Sequence, residues 1–200
     1  MKLFEDDNPK NLNLPDAEVA YYPNLIAPGQ ALNYYNTLLK EVPWQQDDIK
    51  VFGKVYSQPR LTALYGNNEK PYSYSNITMK PLPFTPLLLK LKEKVEQHTS
   101  ANFTTCLLNL YRDGRDSNGW HADDEKELGE HPIIASVSLG ASRWFHLKHK
   151  KNKELKTKIL LESGSLLLMQ GETQKNWLHQ IPKSKKVTDP RINLTFRVIK

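Results

Sequence analysis

Hydrophobic positions change their period once along this chain, close to residue 100. Before that point the spacing is helical. Residues 29–42 carry Leu32, Tyr35 and Leu39 three and four apart, and Pro43 closes the segment, which predicts a helix burying that stripe. A second helix is predicted from Thr85 as its cap and Pro86 in its first turn, with Leu88, Leu91 and Val95 as the buried stripe. From Phe103 onward apolar residues alternate as in strands, with candidates at 104–111, 133–139, 143–148, 157–162, 165–170 and 191–198. Turn formers separate them: Asp113-Gly114, Gly140 and Glu162-Ser163-Gly164. Residues 1–24 are polar, broken by Pro9, Pro15 and Pro23, and read as an irregular arm. Two helices followed by many short strands predict an α+β fold: an antiparallel double sheet with helices packed on one side. A jelly roll is a standard solution, and its mouth can hold a small cofactor.

The last strand carries two incompatible-looking faces. Arg191, Asn193, Thr195 and Arg197 share one side, and Ile192, Leu194, Phe196 and Val198 the other. Either this is a surface strand showing its polar side to water, or both sides are covered and the polar one lines a cavity for an anion. Residues 107–111 repeat the pattern, with Asn109 and Tyr111 opposite Leu108 and Leu110.

His121-Ala122-Asp123 places an imidazole and a carboxylate on the same side of an extended segment, where both can reach one metal. His179, 58 residues downstream, is the candidate third ligand. Two histidines and a carboxylate on one face of a metal are the triad of non-haem iron(II) oxygenases; zinc with a water is the chemical competitor. A lone H-x-D pair is weak. Its combination with two arginines six residues apart on a strand is stronger, because guanidinium donates two parallel hydrogen bonds to a carboxylate. 2-Oxoglutarate carries one carboxylate that chelates iron and one that needs a salt bridge, so Arg191 and Arg197 with Asn109 and Tyr111 suit that ligand. His98, His131, His146 and His149 have no carboxylate two residues on and read as non-ligands.

Composition narrows the setting. A chain of 200 residues is accounted for by one domain. No apolar run approaches the roughly 20 residues of a membrane span, and the opening Met1-Lys2-Leu3-Phe4-Glu5-Asp6-Asp7 has no signal-like stretch. Cys106 is the only cysteine, which excludes an internal disulfide. These features read as an intracellular protein, cytoplasmic in a prokaryote and nuclear in a eukaryote. Net charge is +6 with pI about 9.2, which favours polyanionic partners. Lys148, Lys150, Lys151, Lys153, Lys156 and Lys158 crowd one segment and Lys183, Lys185 and Lys186 another; solvated loops and nucleic-acid contacts account for them equally well.

With these residues in view, the sequence resembles the AlkB family of nucleic-acid dealkylases. The resemblance rests on Asn109-Leu-Tyr-Arg-Asp-Gly, on Gly119-Trp-His-Ala-Asp-Asp-Glu125, and on Ile134-Ala-Ser-Val-Ser-Leu-Gly-Ala141. Ser163-Gly-Ser-Leu-Leu-Leu-Met169 and Pro190-Arg-Ile-Asn-Leu-Thr-Phe-Arg197 complete it, and the match runs from about residue 50 to the C-terminus. It implies a double-stranded β-helix core over about 103–200, a nucleotide-recognition extension over about 50–80, and monomeric action. Iron ligation falls to His121, Asp123 and His179. 2-Oxoglutarate contacts fall to Asn109, Tyr111, Arg191, Thr195 and Arg197, with the distal carboxylate on Arg191 and the metal-side one near Arg197. Asp124 is implied as the contact to the exocyclic amine of the damaged base, supported by Glu125.

Upstream, Val51-Phe-Gly-Lys54 and Ser57-Gln-Pro-Arg60 resemble the branch represented by the mammalian homologue that repairs duplex DNA. There Phe52, with Gly53 and Lys54, would enter the stack vacated by a flipped base, offsetting part of the few kcal/mol that extrusion costs. Arg60 would approach the backbone or the opposite strand. Tyr72, Ser73 and Tyr74 would wall the base pocket, Tyr74 standing where the branch commonly has phenylalanine. An ordinary buried strand is the plain alternative for Val51-Phe52. The implied reaction is oxidative dealkylation of 1-methyladenine and 3-methylcytosine in DNA, using Fe(II), 2-oxoglutarate and O₂ and releasing formaldehyde, succinate and CO₂. An enzyme for RNA or single strands, a non-catalytic nucleic-acid-binding module and a protein hydroxylase are the competing readings.

Overall fold

The structure is a computed structural model that describes residues 8–51, 54–67, 72–74 and 77–199. Strands β1 (Lys10–Asn11) and β2 (Glu18–Tyr22) precede helix α1 (Pro28–Glu41). A set of short strands follows: β3 (Asp48–Val51), β4 (Lys54–Ser57), β5 (Leu61–Gly66), β6 (Tyr72–Tyr74), β7 (Ile77–Met79) and β8 (Leu82–Pro83). Helix α2 (Pro86–Glu96) then leads into β9 (Thr105–Tyr111), β10 (Asn118–His121), β11 (Ile134–Gly140) and β12 (Arg143–His149). The chain finishes with β13 (Lys156–Leu161), β14 (Leu166–Gln170), the short helix α3 (Thr173–Asn176), β15 (Trp177–Ile181) and β16 (Arg191–Arg197).

Pairing gives an eight-stranded sheet, β1-β2-β14-β11-β16-β9-β5-β8, and a four-stranded sheet, β10-β15-β12-β13. From β9 to β16 the chain passes repeatedly between the two sheets, which is the double-stranded β-helix the sequence predicts. Two apolar layers result. Leu108, Leu110, Val137, Leu139, Ile192, Leu194 and Phe196 face Leu38, Leu88, Leu91 and Val95 of the helices. Leu107, Tyr111, Phe145, Leu147, Leu167, Met169, Trp177 and Ile181 fill the space between the sheets. The middle of the large sheet is thus covered on both sides, so its central strands β9 and β16 are buried along their whole length.

All six predicted strands are present, with ends moved by a residue or two. The second helix is as read: the Thr85 hydroxyl accepts from the Leu88 amide at 3.3 Å, and Leu88, Leu91 and Val95 are fully buried. Thr85→Ala should therefore lower stability by about 1 kcal/mol in a denaturant titration, with the midpoint moving and the slope not.

Two expectations need correction. The first helix buries Ala31 and Leu38, while Leu32 is 58% and Leu39 36% exposed. Tyr35 packs against the core as expected, but Ala31, Tyr34 and Leu38 complete the buried side in place of Leu32 and Leu39. The N-terminal arm is irregular only in part: β2 pairs along β14, Val19 and Tyr21 are buried, and Trp177 Nε1 donates to the Pro15 carbonyl at 2.9 Å. Alternation in Glu18–Tyr22 outweighs the prolines, which stand outside the strand.

Candidate active site

Strand β10 ends on His121, and antiparallel pairing sets it opposite His179 of β15. Side-chain alternation points both rings between the sheets, 4.2 Å apart by centroid. Asp123 lies two residues past the end of β10, its amide fixed by Gln174 Oε1 at 2.9 Å. The ligand atoms of His121, Asp123 and His179 all fall within 4.8 Å of one another, so one ion can reach all three. The His121 Nδ1–H donates to the Gly119 carbonyl at 2.7 Å, a contact that selects the tautomer with its lone pair on Nε2. Phe145 stacks on His179 at 5.1 Å and excludes water from that side.

Electrostatics keep this set ready to ligate. Burial, reinforced by His121, pushes His179 down to about 3 against the opposing pull of Asp123. The 3.9 Å approach of His179 Nε2 to Asp123 Oδ2 is therefore not an ion pair at neutral pH but two ligands facing one point. Burial also lowers His121. For Asp123 burial pushes upward, yet Arg197 and the two imidazoles outweigh it and bring the carboxyl to about 2. Arg197 Nη2 donates to Asp123 Oδ1 at 2.7 Å with both groups buried.

Strand β16 supplies the rest of the cavity. Arg191, Asn193, Thr195 and Arg197 all point into it and all are buried, so the covered-strand reading holds. Arg191 is completely buried. It donates to Ser138 Oγ at 2.9 Å, while Nε and Nη1 find no acceptor among the described residues. Burial first, and then the nearby Arg143, hold its guanidinium down to about 10, still charged at pH 7. A buried cation with two N–H groups and no carboxylate beside it is costly unless an anion completes it. A dicarboxylate with one end at the triad and the other at Arg191 fits both halves of the cavity. Asn109 and Tyr111 of β9 line the same wall.

Sequence reasoning missed Arg143. Its guanidinium donates to the carbonyls of Asp113, Asp116 and Pro182 and lies 5.5 Å from the Tyr111 ring, with Arg191 5.3 Å from that ring. The signal was available, because residues 143, 145 and 147 share the inward face of β12. Asn118, whose Nδ2 lies 3.2 Å from His121 Nε2, and Ser136, which accepts from Asn193 at 2.8 Å, were also missed.

Two expected substrate contacts sit elsewhere. Arg60, expected at the nucleic-acid backbone or opposite strand, is only 4% exposed, with Nε on Asn109 Oδ1 at 2.8 Å. It precedes β5, where Thr62 pairs opposite Asn109, and so falls on the face that looks into the cavity. Asp124 is exposed and ion-paired with Lys150 at 3.0 Å, outside the cavity lining, whereas Glu125 buries Oε2. Phe52 and Gly53 lie outside the described residues, as do the side chains of Lys54, Tyr72, Ser73 and Tyr74.

A family model for the 2OG-Fe(II) oxygenase superfamily matches residues 18–197. The chain is 43% identical over 197 residues to "Alpha-ketoglutarate-dependent dioxygenase alkB homolog 3" of Bos taurus, covering 92% of this chain and 66% of that protein. The Homo sapiens protein of that name gives the same figures. "DNA oxidative demethylase ALKBH2" of Homo sapiens is 38% identical over 188 residues, covering 89% of this chain and 72% of its own length. This chain thus spans just under two thirds of the length of the alkB homolog 3 proteins. A solved structure, "The structure of OsALKBH1", superposes with a TM-score of 0.70 at 16% identity, over 96% of this chain and all of that one, which shows the shared fold. The chain belongs to the 2OG-Fe(II) oxygenase superfamily and, within it, to the AlkB family.

Proposed function

We propose that this protein is an Fe(II)- and 2-oxoglutarate-dependent dioxygenase that removes alkyl groups from DNA bases, with 1-methyladenine and 3-methylcytosine as its substrates. The observation that carries the reading is the cavity itself: three metal ligands at one end, and at the other a fully buried Arg191 whose Nε and Nη1 have no acceptor among the described residues. The relatives named for DNA demethylation supply the substrate class.

His121, Asp123 and His179 would hold the metal. Arg191 would take the far carboxylate of 2-oxoglutarate, with Tyr111 beside it, and Asn109, Thr195 and Arg197 would line the metal-side half. When bound, Fe(II) with 2-oxoglutarate and O₂ supplies the oxidation of the alkyl carbon, leaving succinate and CO₂. The protein's own share is placement and exclusion. Arg197 fixes the Asp123 carboxylate, Gln174 fixes its backbone, Gly119 fixes the His121 ring, and Phe145 with Met169 and Ile181 keeps water from the ligands. The oxidised alkyl carbon, still on a ring nitrogen, leaves as formaldehyde and restores the base.

The buried Oε2 of half-buried Glu125 and the Lys150 pairing of Asp124 favour Glu125 as the carboxylate nearer a cationic base. Glu125→Ala should lower repair at least tenfold, while Asp124→Ala, breaking only an exposed pair, should change stability by less than about 1 kcal/mol and repair far less. Comparing initial rates of the two variants on one methylated oligonucleotide checks this. Phe52 is proposed as the finger for duplex DNA. Repair of a lesion in a duplex, in a single strand and in RNA, repeated with Phe52→Ala, tests it: selective loss of duplex repair supports the finger, and equal losses make Phe52 a core residue.

A further inference from the structure

The outer face of the four-stranded sheet has no part in the cavity, yet it is built unlike an ordinary solvated face. Trp144, His146 and Lys148 alternate outward along β12 against inward Phe145 and Leu147, and Trp120 faces outward beside inward His121. Trp120 is 39% and Trp144 46% exposed. Lys148 Nζ lies 4.3 Å from the Trp120 ring centroid and Lys158 Nζ 4.7 Å from that of Trp144. A groove crosses the face, lined by Trp120, His146, Lys148, Lys153, Lys156 and Lys158.

Pairing brings like charges together: Lys148 stands opposite Lys156. Like charges directly across a strand pair are destabilising. Among the described residues none of Lys148, Lys153, Lys156 and Lys158 has an ion-pair partner, while Lys150 at the groove's end is tied to Asp124. Edge protection accounts for lysines on β13, which ends the sheet. It does not account for Lys148 on an interior strand or for two exposed indoles. An external polyanion with flat apolar faces answers all three.

We propose that this face is a track for single-stranded nucleic acid flanking the base held in the cavity, with bases stacking on Trp120 and Trp144 and phosphates on Lys148, Lys156 and Lys158. By strand spacing and rise the two indoles stand roughly 12 Å apart. Alternating aromatic and cationic groups are how proteins hold single strands without reading sequence, and a duplex would not offer its base faces. Trp120 adjoins His121 on the edge strand β10, so a strand leaving the cavity has only to round that edge. The proposal rests on the nucleic-acid reading above.

Binding of an unmodified 15-nucleotide oligothymidylate, followed by anisotropy and by tryptophan quenching, tests the face without any lesion. Trp144→Ala should weaken it by about 5-fold or more. The double variant Lys156→Gln/Lys158→Gln, which spares both indoles, should make the slope of log affinity against log salt shallower by about 1.4. Both variants should repair a methylated trinucleotide at the wild-type rate and lose kcat/KM only on long single strands. Unchanged oligothymidylate affinity and salt slope in both variants would overturn the proposal, as would binding of anionic vesicles in place of oligonucleotide. Variant-sensitive binding by a wild-type protein that repairs nothing would support the track and sink the dealkylation reading instead.

Discussion

Asp123→Ala should abolish turnover, leaving less than about a thousandth of the wild-type rate, and should also destabilise the fold. The two effects have one origin. Asp123 is at once a ligand in the triad and the buried counter-charge of Arg197, which holds it at 2.7 Å. Removing the carboxylate leaves two histidines facing the metal position and a buried guanidinium without its anion. Breaking one side of a buried ion pair typically costs about 3–5 kcal/mol. Asp123→Asn separates the contributions, because the amide keeps the shape and an acceptor for Arg197 but loses the charge. It should fold better than the alanine variant and remain inactive. Rates measured alongside a thermal or denaturant titration check both; most activity surviving in either variant would break the triad assignment.

Arg191→Ala should weaken 2-oxoglutarate binding about 10- to 100-fold and leave metal binding intact. The side chain is fully buried, and its Nε and Nη1 lack acceptors among the described residues, so the interaction lost is a charge-assisted pair worth about 1.5–3 kcal/mol. Arg191→Lys should recover only part of it, since an ammonium cannot offer the two parallel donors of a guanidinium. The apparent KM for 2-oxoglutarate is the readout, with ferrous-ion affinity measured separately. A co-substrate KM unchanged by both substitutions would place that carboxylate on another group, and Arg143, which also lies against the Tyr111 ring, would be the first to examine.

Much of this site was legible because its chemistry rides on alternation. Residues 191, 193, 195 and 197 declare one face of a strand, and H-x-D declares one side of an extended segment. What alternation cannot declare is whether the polar face meets water or a cavity; that depended on the second sheet closing over β16. The two strands that hold the histidines were not predicted. Strand β10 is four residues long and contains Asn118 and Gly119, weak strand formers. Strand β15 alternates cleanly, with Trp177, His179 and Ile181 inward, but follows directly on a helical turn that hides its start. The role of Arg60 came from the resemblance alone, and alternation gave no sign of its burial, because only the pairing of β5 with β9 turns it inward. The outward Asp124 has the same kind of cause: the extended segment that points His121 and Asp123 inward turns the residue after them toward Lys150.

The central claim is that one cavity binds Fe(II) and 2-oxoglutarate and spends them on an alkylated base. Its most direct test is formaldehyde release from a single-stranded oligonucleotide carrying 1-methyladenine, measured with Fe(II) in the presence and absence of 2-oxoglutarate. Formaldehyde equal to the restored adenine, formed only with 2-oxoglutarate and matched by succinate, is the predicted result. Succinate produced without restored adenine, on this substrate and on 3-methylcytosine, would contradict it.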